Sequence, residues 1–183
     1  MPNKKSREIR PQVFELLQLL CGSSTTGHHE QSHEQAAAPL GQLMADQVNL
    51  VVGDQDDGLS ERIEAELGAY NAEMTGLPDP QPLRVTVWDG GDLLAGLCGA
   101  TWGGCGYIDL IWMRADYRRR GLGTRLLRAG EKEIRLRGCD QVALATYSFQ
   151  APAFYIRAGY TERGRRPDCP HGHEQIPLMK QLS

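Results

Sequence analysis

The segment Tyr117-Arg118-Arg119-Arg120-Gly121-Leu122-Gly123-Thr124-Arg125-Leu126-Leu127 follows an apolar stretch and opens a stretch of helical periodicity. A strand is predicted before it over 107–113 and a helix after it over 121–137. A helix N-terminus exposes unpaired N–H groups and carries a partial positive charge. Glycines there let the backbone approach a phosphate closely, while the arginines and the Thr124 hydroxyl add charge and a donor. The segment therefore predicts a pyrophosphate-binding site.

Other interpretations of this loop are less well supported. It is not a P-loop, because Gly-Lys-Ser/Thr is missing, and it is not a dinucleotide fingerprint, because G-x-G-x-x-G is absent. An Arg-rich surface turn remains an alternative. Contact of the three arginines with nucleic acid is disfavoured, since the net charge is -3 and no basic face accompanies them. The same charge does not favour an anionic membrane surface.

The periodicities around the loop predict an α+β domain built on one mixed sheet. Leu83, Val85 and Val87 alternate with polar neighbours or Trp88, as in a strand with one buried face, and Asp89-Gly90-Gly91-Asp92 predicts a hairpin turn. Strands are predicted over 49–52, 83–88, 93–102, 107–113, 142–145, 160–163 and 175–179, with a turn over 103–106. Helices are predicted over 60–74, 121–137 and 151–158.

The length of 183 residues suggests one domain, predicted over 46–183, after an N-terminal extension over 1–45 that is partly helical or disordered. His28, His29 and His33 in the extension resemble a metal cluster only superficially, so no metal is expected. The apolar stretch 13–21 is too short to cross a membrane. Five scattered cysteines without C-x-x-C spacing indicate neither zinc nor disulfides and favour a reducing cytoplasm.

The chain resembles the GNAT superfamily of N-acetyltransferases. R-x-x-G-x-G between a strand and a helix is that family's acetyl-CoA pyrophosphate motif, and Arg118, Gly121 and Gly123 fill its fixed positions. The stretch SFQAPAFYIRAGY over 148–160 resembles the later family motif, in which a short helix carries a Tyr. The closing Pro-His-Gly-His over 170–173, with 178–182, resembles one bacterial branch. The resemblance covers about 48–182 and implies a mixed, mostly antiparallel central sheet flanked by helices.

The resemblance implies acetyl-CoA as the co-substrate. Its pantetheine arm is expected to pair with the strand backbone after Asp109, like an added strand, where an N–H could stabilise a developing oxyanion. Many family members have Asn seven residues before the helix Tyr, where this chain has Ser148, although the Phe-Gln-Ala branch commonly lacks that Asn. The expected cofactor-binding residues are Ile111, Trp112, Met113, Arg118, Arg119, Arg120, Gly121, Leu122, Gly123, Thr124 and Ala151.

The resemblance also implies direct attack of an amine on the thioester. Tyr155 aligns with the family's general acid, and a phenol with a pKa near 10 is protonated at neutral pH; packing beside Phe154 is the alternative. Asp109 is the first candidate for the base, because an unpaired carboxylate in an apolar strand is costly and often marks a site or a buried ion pair. His171 and His173 are alternative bases or substrate contacts, since His titrates near neutrality. A water chain is a further alternative.

The acceptor side is less defined by the sequence. Trp88 and Trp112 could line a substrate cleft, but core packing is favoured, and Glu64 and Glu66 are expected on a solvated helix face. The predicted function is acetylation of a primary amine of a small molecule or peptide by a cytoplasmic bacterial enzyme, without nucleic acid or membrane partners. The alternatives are a non-catalytic acyl-CoA sensor and a modifier of RNA-bound amines. Homodimers are common in the resembling family, but nothing in the chain proves one.

Overall fold

The computed structural model describes residues 51–53 and 58–183, which fall into two compact units that divide after Tyr70. Val51 and Val52 form no strand and are 85% and 89% exposed. The strand predicted over 49–52 is therefore wrong for residues 51 and 52, which are the part of it that the structure describes. An apolar run forms a strand only where a neighbouring strand pairs with it, and these two residues have no such partner among the described residues. The extension over 1–45 and the domain boundary at 46 lie outside the described residues and stay predictions.

Helix α1 spans Leu59–Thr75 and confirms the helix predicted over 60–74. The backbone N–H of Gly76, in a left-handed conformation at φ 66°, donates to the Ala72 carbonyl and ends the helix. None of its residues is buried, and Ile63 of the predicted apolar stripe is 56% exposed. Within the described residues, the apolar face predicted for this helix is therefore not buried. Glu64 and Glu66 are also exposed, as expected.

The central sheet is mixed and mostly antiparallel, as predicted. A meander of three strands is followed by a helix, a parallel strand, a short helix and the closing strands. The elements are β1 (Gln81–Asp89), β2 (Asp92–Trp102), β3 (Cys105–Met113), α2 (Leu122–Leu136), β4 (Gln141–Tyr147), α3 (Pro152–Arg157), β5 (Thr161–Glu162), β6 (Arg166–Pro167) and β7 (Glu174–Gln181). The sheet order is β1-β2-β3-β4-β7-β5, with β6 also paired to β7, and among the strands of the described residues only β3 and β4 run parallel.

Two details of this sheet differ from the prediction. The turn after β2 is only Gly103–Gly104, because Cys105 and Gly106 already pair with Trp102 and Thr101 in the hairpin. Strand β6 was not predicted, since a two-residue strand leaves no periodic pattern.

Strand β3 has an irregular register that opens a cleft beside β4. Gly99 pairs with Ile108 and Cys98 pairs with Leu110, so Asp109 is the extra residue of a β-bulge. On its other edge, β3 pairs with β4 only as far as Ile108, opposite Leu144. Residues 109–113 therefore have no strand partner on that edge within the described residues, while β4 continues to pair with β7 as far as Tyr147.

The main core lies between one face of the sheet and helices α2 and α3. Leu126, Leu127 and Ile134 of α2 are at most 2% exposed, which confirms the stripe predicted for this helix. Gly106 lets the helix approach β3 closely, because a Cβ there would lie 2.4 Å from an Ile134 methyl carbon. A smaller cluster on the opposite face contains Ala100, Cys105, Tyr107 and Ala143, with Trp102 and Ala145 packed against it.

The bulge at Asp109 requires glycine opposite it. A Cβ at Gly99 would lie 1.9 Å from the Tyr107 carbonyl oxygen, and backbone cannot give way by that much. We expect Gly99→Ala to lower the free energy of unfolding by about 3 kcal/mol, measured by urea denaturation. Gly91→Ala is the matched control and should change it by less than about 0.5 kcal/mol, because nothing lies within 4 Å of its added Cβ. Equal stability of the two variants would contradict this account of the bulge.

Candidate active site

Helix α2 begins with an open N-terminus at the end of the Arg/Gly loop. Its N-cap is Gly121 in a left-handed conformation at φ 77°, and no side chain caps the first turn. The first turn holds no acidic residue, and Arg125 is the first N–H to bond back, to the Gly121 carbonyl at 3.1 Å. The preceding N–H groups are those that a helix leaves unpaired, so this end of α2 favours an anion.

The loop is tied to the end of β3. The guanidinium of Arg118 donates two hydrogen bonds of 3.3 Å to the Met113 carbonyl oxygen. Arg120 lies over the Tyr117 ring, 5.8 Å from its centroid. Arg119 adopts a positive φ of 59° and is exposed. Arg118 thus ties the loop that precedes α2 to the carboxyl end of β3.

Gly123 lies at the closest approach between this helix and its neighbours. A Cβ at this position would be 3.3 Å from the Met113 terminal methyl carbon and 3.7 Å from the Phe154 ring. These two neighbours belong to β3 and α3. A long side chain at position 123 would therefore project toward the helix N-terminus or displace one of them.

Asp109 is half-buried at the bulge where β3 leaves β4. Its Oδ1 atom is buried and has no hydrogen-bond partner among the described residues. Burial raises the pKa of this carboxyl to about 6. The alternative of a buried ion pair is not found among the described residues, so the buried oxygen of this carboxyl is left without a partner.

Tyr155 lies on α3 between two aromatic rings. Its ring centroid is 5.0 Å from that of Phe154 and 5.9 Å from that of Tyr160, both edge to face. Burial raises the pKa of its phenol, so the hydroxyl stays protonated well above neutral pH. The packing predicted as the alternative role is present, and it leaves the phenol a proton donor.

The carboxyl end of β4 holds residues whose contribution was not predicted. The Gln150 Oε1 atom accepts bonds from the Thr146 hydroxyl at 2.9 Å and the Tyr147 N–H at 3.1 Å. Ser148, at the position of the family's Asn, accepts a bond from the Glu174 N–H at 3.1 Å, and its own N–H donates to the Glu174 carbonyl. The Phe-Gln-Ala motif contains Gln150, so the sequence marked this residue, but its hydrogen bonds to Thr146 and Tyr147 could be identified only from the structure.

The two candidate histidines lie in different surroundings. The His171 Nδ1 atom is 2.8 Å from the Asp168 carboxylate, and its side chain is 95% exposed. The Gly172 N–H and His171 lower the pKa of Asp168. His173 contacts the Phe149 ring edge to face, with centroids 4.8 Å apart. The structure thus brings His173 to the end of β4, whereas His171 pairs within its own loop.

A family model for the GNAT acetyltransferases matches residues 52–160, which include the bulge, the Arg/Gly loop and helix α3. The chain belongs to the GNAT acetyltransferase family. It is therefore an acetyl-CoA-dependent N-acetyltransferase, and the family assignment disfavours the non-catalytic acyl-CoA sensor. The match confirms the predicted family and fold.

Two curated relatives of this chain are acetyltransferases from Streptomyces and Agrobacterium. The blasticidin-S acetyltransferase of Streptomyces morookaense is 35% identical over 113 residues, which cover 59% of this chain and 83% of that protein. The acetyltransferase Atu2258 of Agrobacterium fabrum is 33% identical over 119 residues, covering 64% and 87%. The crystal structure of an acetyltransferase from Agrobacterium tumefaciens superposes with a TM-score of 0.70 at 29% identity, covering 74% of this chain and all of that one.

The residues of this GNAT site fit a thioester co-substrate with a pyrophosphate. The uncapped first turn of α2 suits the phosphates, and the unpaired edge of β3 over 109–113 suits an extended amide-bearing arm. Residues 51–53 and 58–183 hold no group of three or more potential metal ligands. None of the described helices is long and apolar enough to cross a membrane.

Proposed function

We propose that this enzyme acetylates a primary amine of a small molecule or peptide in the cleft between β3 and β4. The proposal rests mainly on the hydrogen bonds from Arg118 to the Met113 carbonyl oxygen. These bonds hold the anion-binding N-terminus of α2 next to the part of β3 that has no partner strand on the β4 side. Acetyl-CoA supplies the activated acetyl group as a thioester. The chain supplies the surface that holds it and the groups that move protons.

Binding of the co-substrate is proposed to use backbone more than side chains. The first-turn N–H groups of α2, with Arg119, Arg120 and Thr124, would hold the pyrophosphate. The free edge of β3 around 111–113 would pair with the pantetheine amides, with Ala151 closing the far side of the cleft. Holding the amine and thioester together contributes an effective molarity of about 10⁵–10⁸ M, so few further groups are needed.

Asp109 is proposed as the base that takes a proton from the ammonium form of the acceptor. Its unpartnered Oδ1 atom offers a lone pair to that ammonium, and its raised pKa makes the carboxylate a better proton acceptor near neutrality. Tyr155 is proposed as the acid that protonates the thiolate of coenzyme A, because burial keeps its phenol protonated.

The nature of the acceptor is proposed from the relatives. The Streptomyces morookaense relative is named for acetylation of blasticidin S, which supports a small-molecule amine as the acceptor here. Membership of the bacterial Phe-Gln-Ala branch is part of the same proposal, and the bacterial origin of both relatives supports it. A cytoplasmic location stays a prediction. A homodimer stays a prediction.

Asp109→Asn tests the base. We expect kcat/KM to fall about 100-fold at pH 7.5, and the decline of the wild-type rate below pH 6 to disappear, because the variant has no carboxyl that titrates. The measurement is CoA release against pH with a saturating amine. If the rate of Asp109→Asn still declined below pH 6 as the wild-type rate does, another group would be the base.

Although Asp109→Asn is expected to lower the activity, the same substitution is expected to raise the stability of the fold above pH 6. The folded state holds a proton on Asp109 up to about pH 6, whereas the unfolded chain loses it near pH 4, so wild-type stability declines as pH rises between these values. Asp109→Asn removes this decline, and its melting temperature should exceed that of wild type above pH 6. Equal melting temperatures at pH 7.5 would contradict the burial of this carboxyl.

A further inference from the structure

A buried ion pair joins helix α2 to strand β7. The Lys180 ammonium on β7 donates to the Glu131 carboxylate on α2, with the nitrogen and oxygen 2.8 Å apart. Glu131 is only 6% exposed, and the side chain of Lys180 is 23% exposed. Because separating the two would leave a buried charge without a partner, the pair holds the Lys180 ammonium at one place in the fold.

The ammonium of Lys180 also contacts an aromatic ring. It lies over the ring of Tyr160, 5.6 Å from the ring centroid. A cation is attracted to the face of a ring, and the attraction grows where water is excluded. Tyr160 is only 3% exposed, and its backbone N–H donates to the Tyr155 carbonyl oxygen at 3.0 Å. The ring of Tyr160 is therefore held by burial, by its backbone and by the cation.

The hydroxyl of Tyr160 contributes less than its ring. Its oxygen is buried and has no hydrogen-bond partner among the described residues. Burial, followed by the negative charge of Glu131, raises the pKa of this phenol, so it stays protonated. A buried tyrosine hydroxyl usually finds a partner, and leaving it unpaired costs free energy. The ring is therefore the part of Tyr160 that phenylalanine can replace without loss.

Tyr155 depends on ring contacts for its direction. No hydrogen bond to a described residue orients its hydroxyl. Its ring meets those of Phe154 and Tyr160 edge to face, with centroids 5.0 Å and 5.9 Å apart. Phe154 is the preceding residue of the same helix, whereas Tyr160 lies beyond the end of α3. The contact with Tyr160 therefore ties the Tyr155 ring to the buried ion pair between α2 and β7.

We propose that Glu131, Lys180 and Tyr160 position the phenol of Tyr155 for donation to the sulfur of coenzyme A. The inference rests on the proposed function, in which Tyr155 is the acid, and adds three positioning residues to it. In that step Tyr155 gives its proton to the sulfur while the C–S bond breaks and the electron pair of that bond stays on the sulfur. The phenolate then takes a proton from water. Misplacement of a reacting group by about 1 Å can cost about 100-fold in rate, so the support matters.

A pair of cofactors tests whether the Tyr155 hydroxyl is aimed at the sulfur. Tyrosine labelled with ¹³C at the ring carbon that bears the hydroxyl is incorporated into the full-length protein, and Tyr155→Phe identifies the signal of residue 155. Spectra are recorded near neutral pH with saturating CoA and with saturating desulfo-CoA, which lacks the sulfur. We expect the wild-type signal of Tyr155 to differ between the two complexes, because only CoA offers a sulfur to the hydroxyl.

Variants of the support should change this response without changing cofactor binding. In Tyr160→Leu we expect the difference between the two complexes to be lost, while the dissociation constant of CoA stays within about threefold of wild type. Tyr160→Phe keeps the ring and should restore the difference. Glu131→Gln combined with Lys180→Met removes both charges, so no unpaired charge is buried, and it should weaken the response if Tyr160→Leu does not fold.

A ring elsewhere in the fold supplies the control. Trp88 and Trp112 are 57% and 49% exposed, so the core packing expected for both is wrong. Trp88→Leu removes an aromatic ring from β1 and should leave the Tyr155 response unchanged. A response that survives in Tyr160→Leu and in the double variant, or that Tyr160→Phe also loses, would overturn the positioning role. A wild-type signal that is the same in both complexes would instead overturn Tyr155 as the acid of the proposed function, and the inference with it.

Discussion

Gly123→Glu is expected to abolish measurable binding of acetyl-CoA, with a dissociation constant at least about 100-fold above that of wild type. The new carboxylate would lie beside the first turn of α2, where it would repel the pyrophosphate and occupy the same N–H groups. The new Cβ would lie 3.3 Å from the Met113 methyl carbon and 3.7 Å from the Phe154 ring, so the side chain must turn toward the helix N-terminus or displace one of these neighbours. Isothermal titration calorimetry at low ionic strength measures the effect.

Gly123→Gln is the matched control, since it has the same size without the charge. It should weaken binding by no more than about tenfold, and the gap between the two variants should narrow as salt is added. If folded Gly123→Glu binds acetyl-CoA as well as wild type does, the pyrophosphate is not held at this helix.

Tyr155→Phe is expected to lower kcat about 100-fold while the dissociation constant of acetyl-CoA stays within a factor of about two. The phenyl ring retains the edge-to-face contacts with Phe154 and Tyr160, so only the proton donor is removed. Single-turnover acetylation and calorimetry on the same preparation separate the two quantities.

The appropriate control for this substitution is Tyr147→Phe, which removes a phenol from the end of β4 rather than from α3. Its kcat should remain within about threefold of wild type. A Tyr155→Phe enzyme with normal kcat would show that another donor, such as water, protonates the leaving thiolate.

Local patterns predicted much of this fold. The stripe from Leu122 to Ile134 predicted α2 because burial of one helix face imposes its own period on the sequence. Alternation and the Asp-Gly-Gly-Asp turn likewise predicted the β1–β2 hairpin. Asp109 could be predicted as a site residue because its carboxylate interrupts an apolar strand.

Features that depend on distant partners could not be predicted in this way. The bulge at Asp109 depends on Gly99 of another strand, and the cleft depends on where β3 and β4 stop pairing. Glu131, only 6% exposed, forms an ion pair of 2.8 Å with Lys180, 49 residues later. The position of Glu131 beside Gly130 on the buried face of α2 indicated that its carboxylate needed a partner. The sequence could not identify that partner, because Lys180 lies on β7. The contact between Phe149 and His173 could not be predicted for the same reason, since the two residues belong to separate segments.

As a GNAT enzyme, this chain transfers an acetyl group from acetyl-CoA to an amine. The most direct measurement incubates the full-length protein with acetyl-CoA and a library of primary amines, follows free CoA thiol, and identifies the product by mass spectrometry. We expect amine-dependent CoA release, N-acetylated product in equal amount, and loss of both in Gly123→Glu. Binding of acetyl-CoA without amine-dependent release, across small-molecule and peptide amines alike, would contradict it.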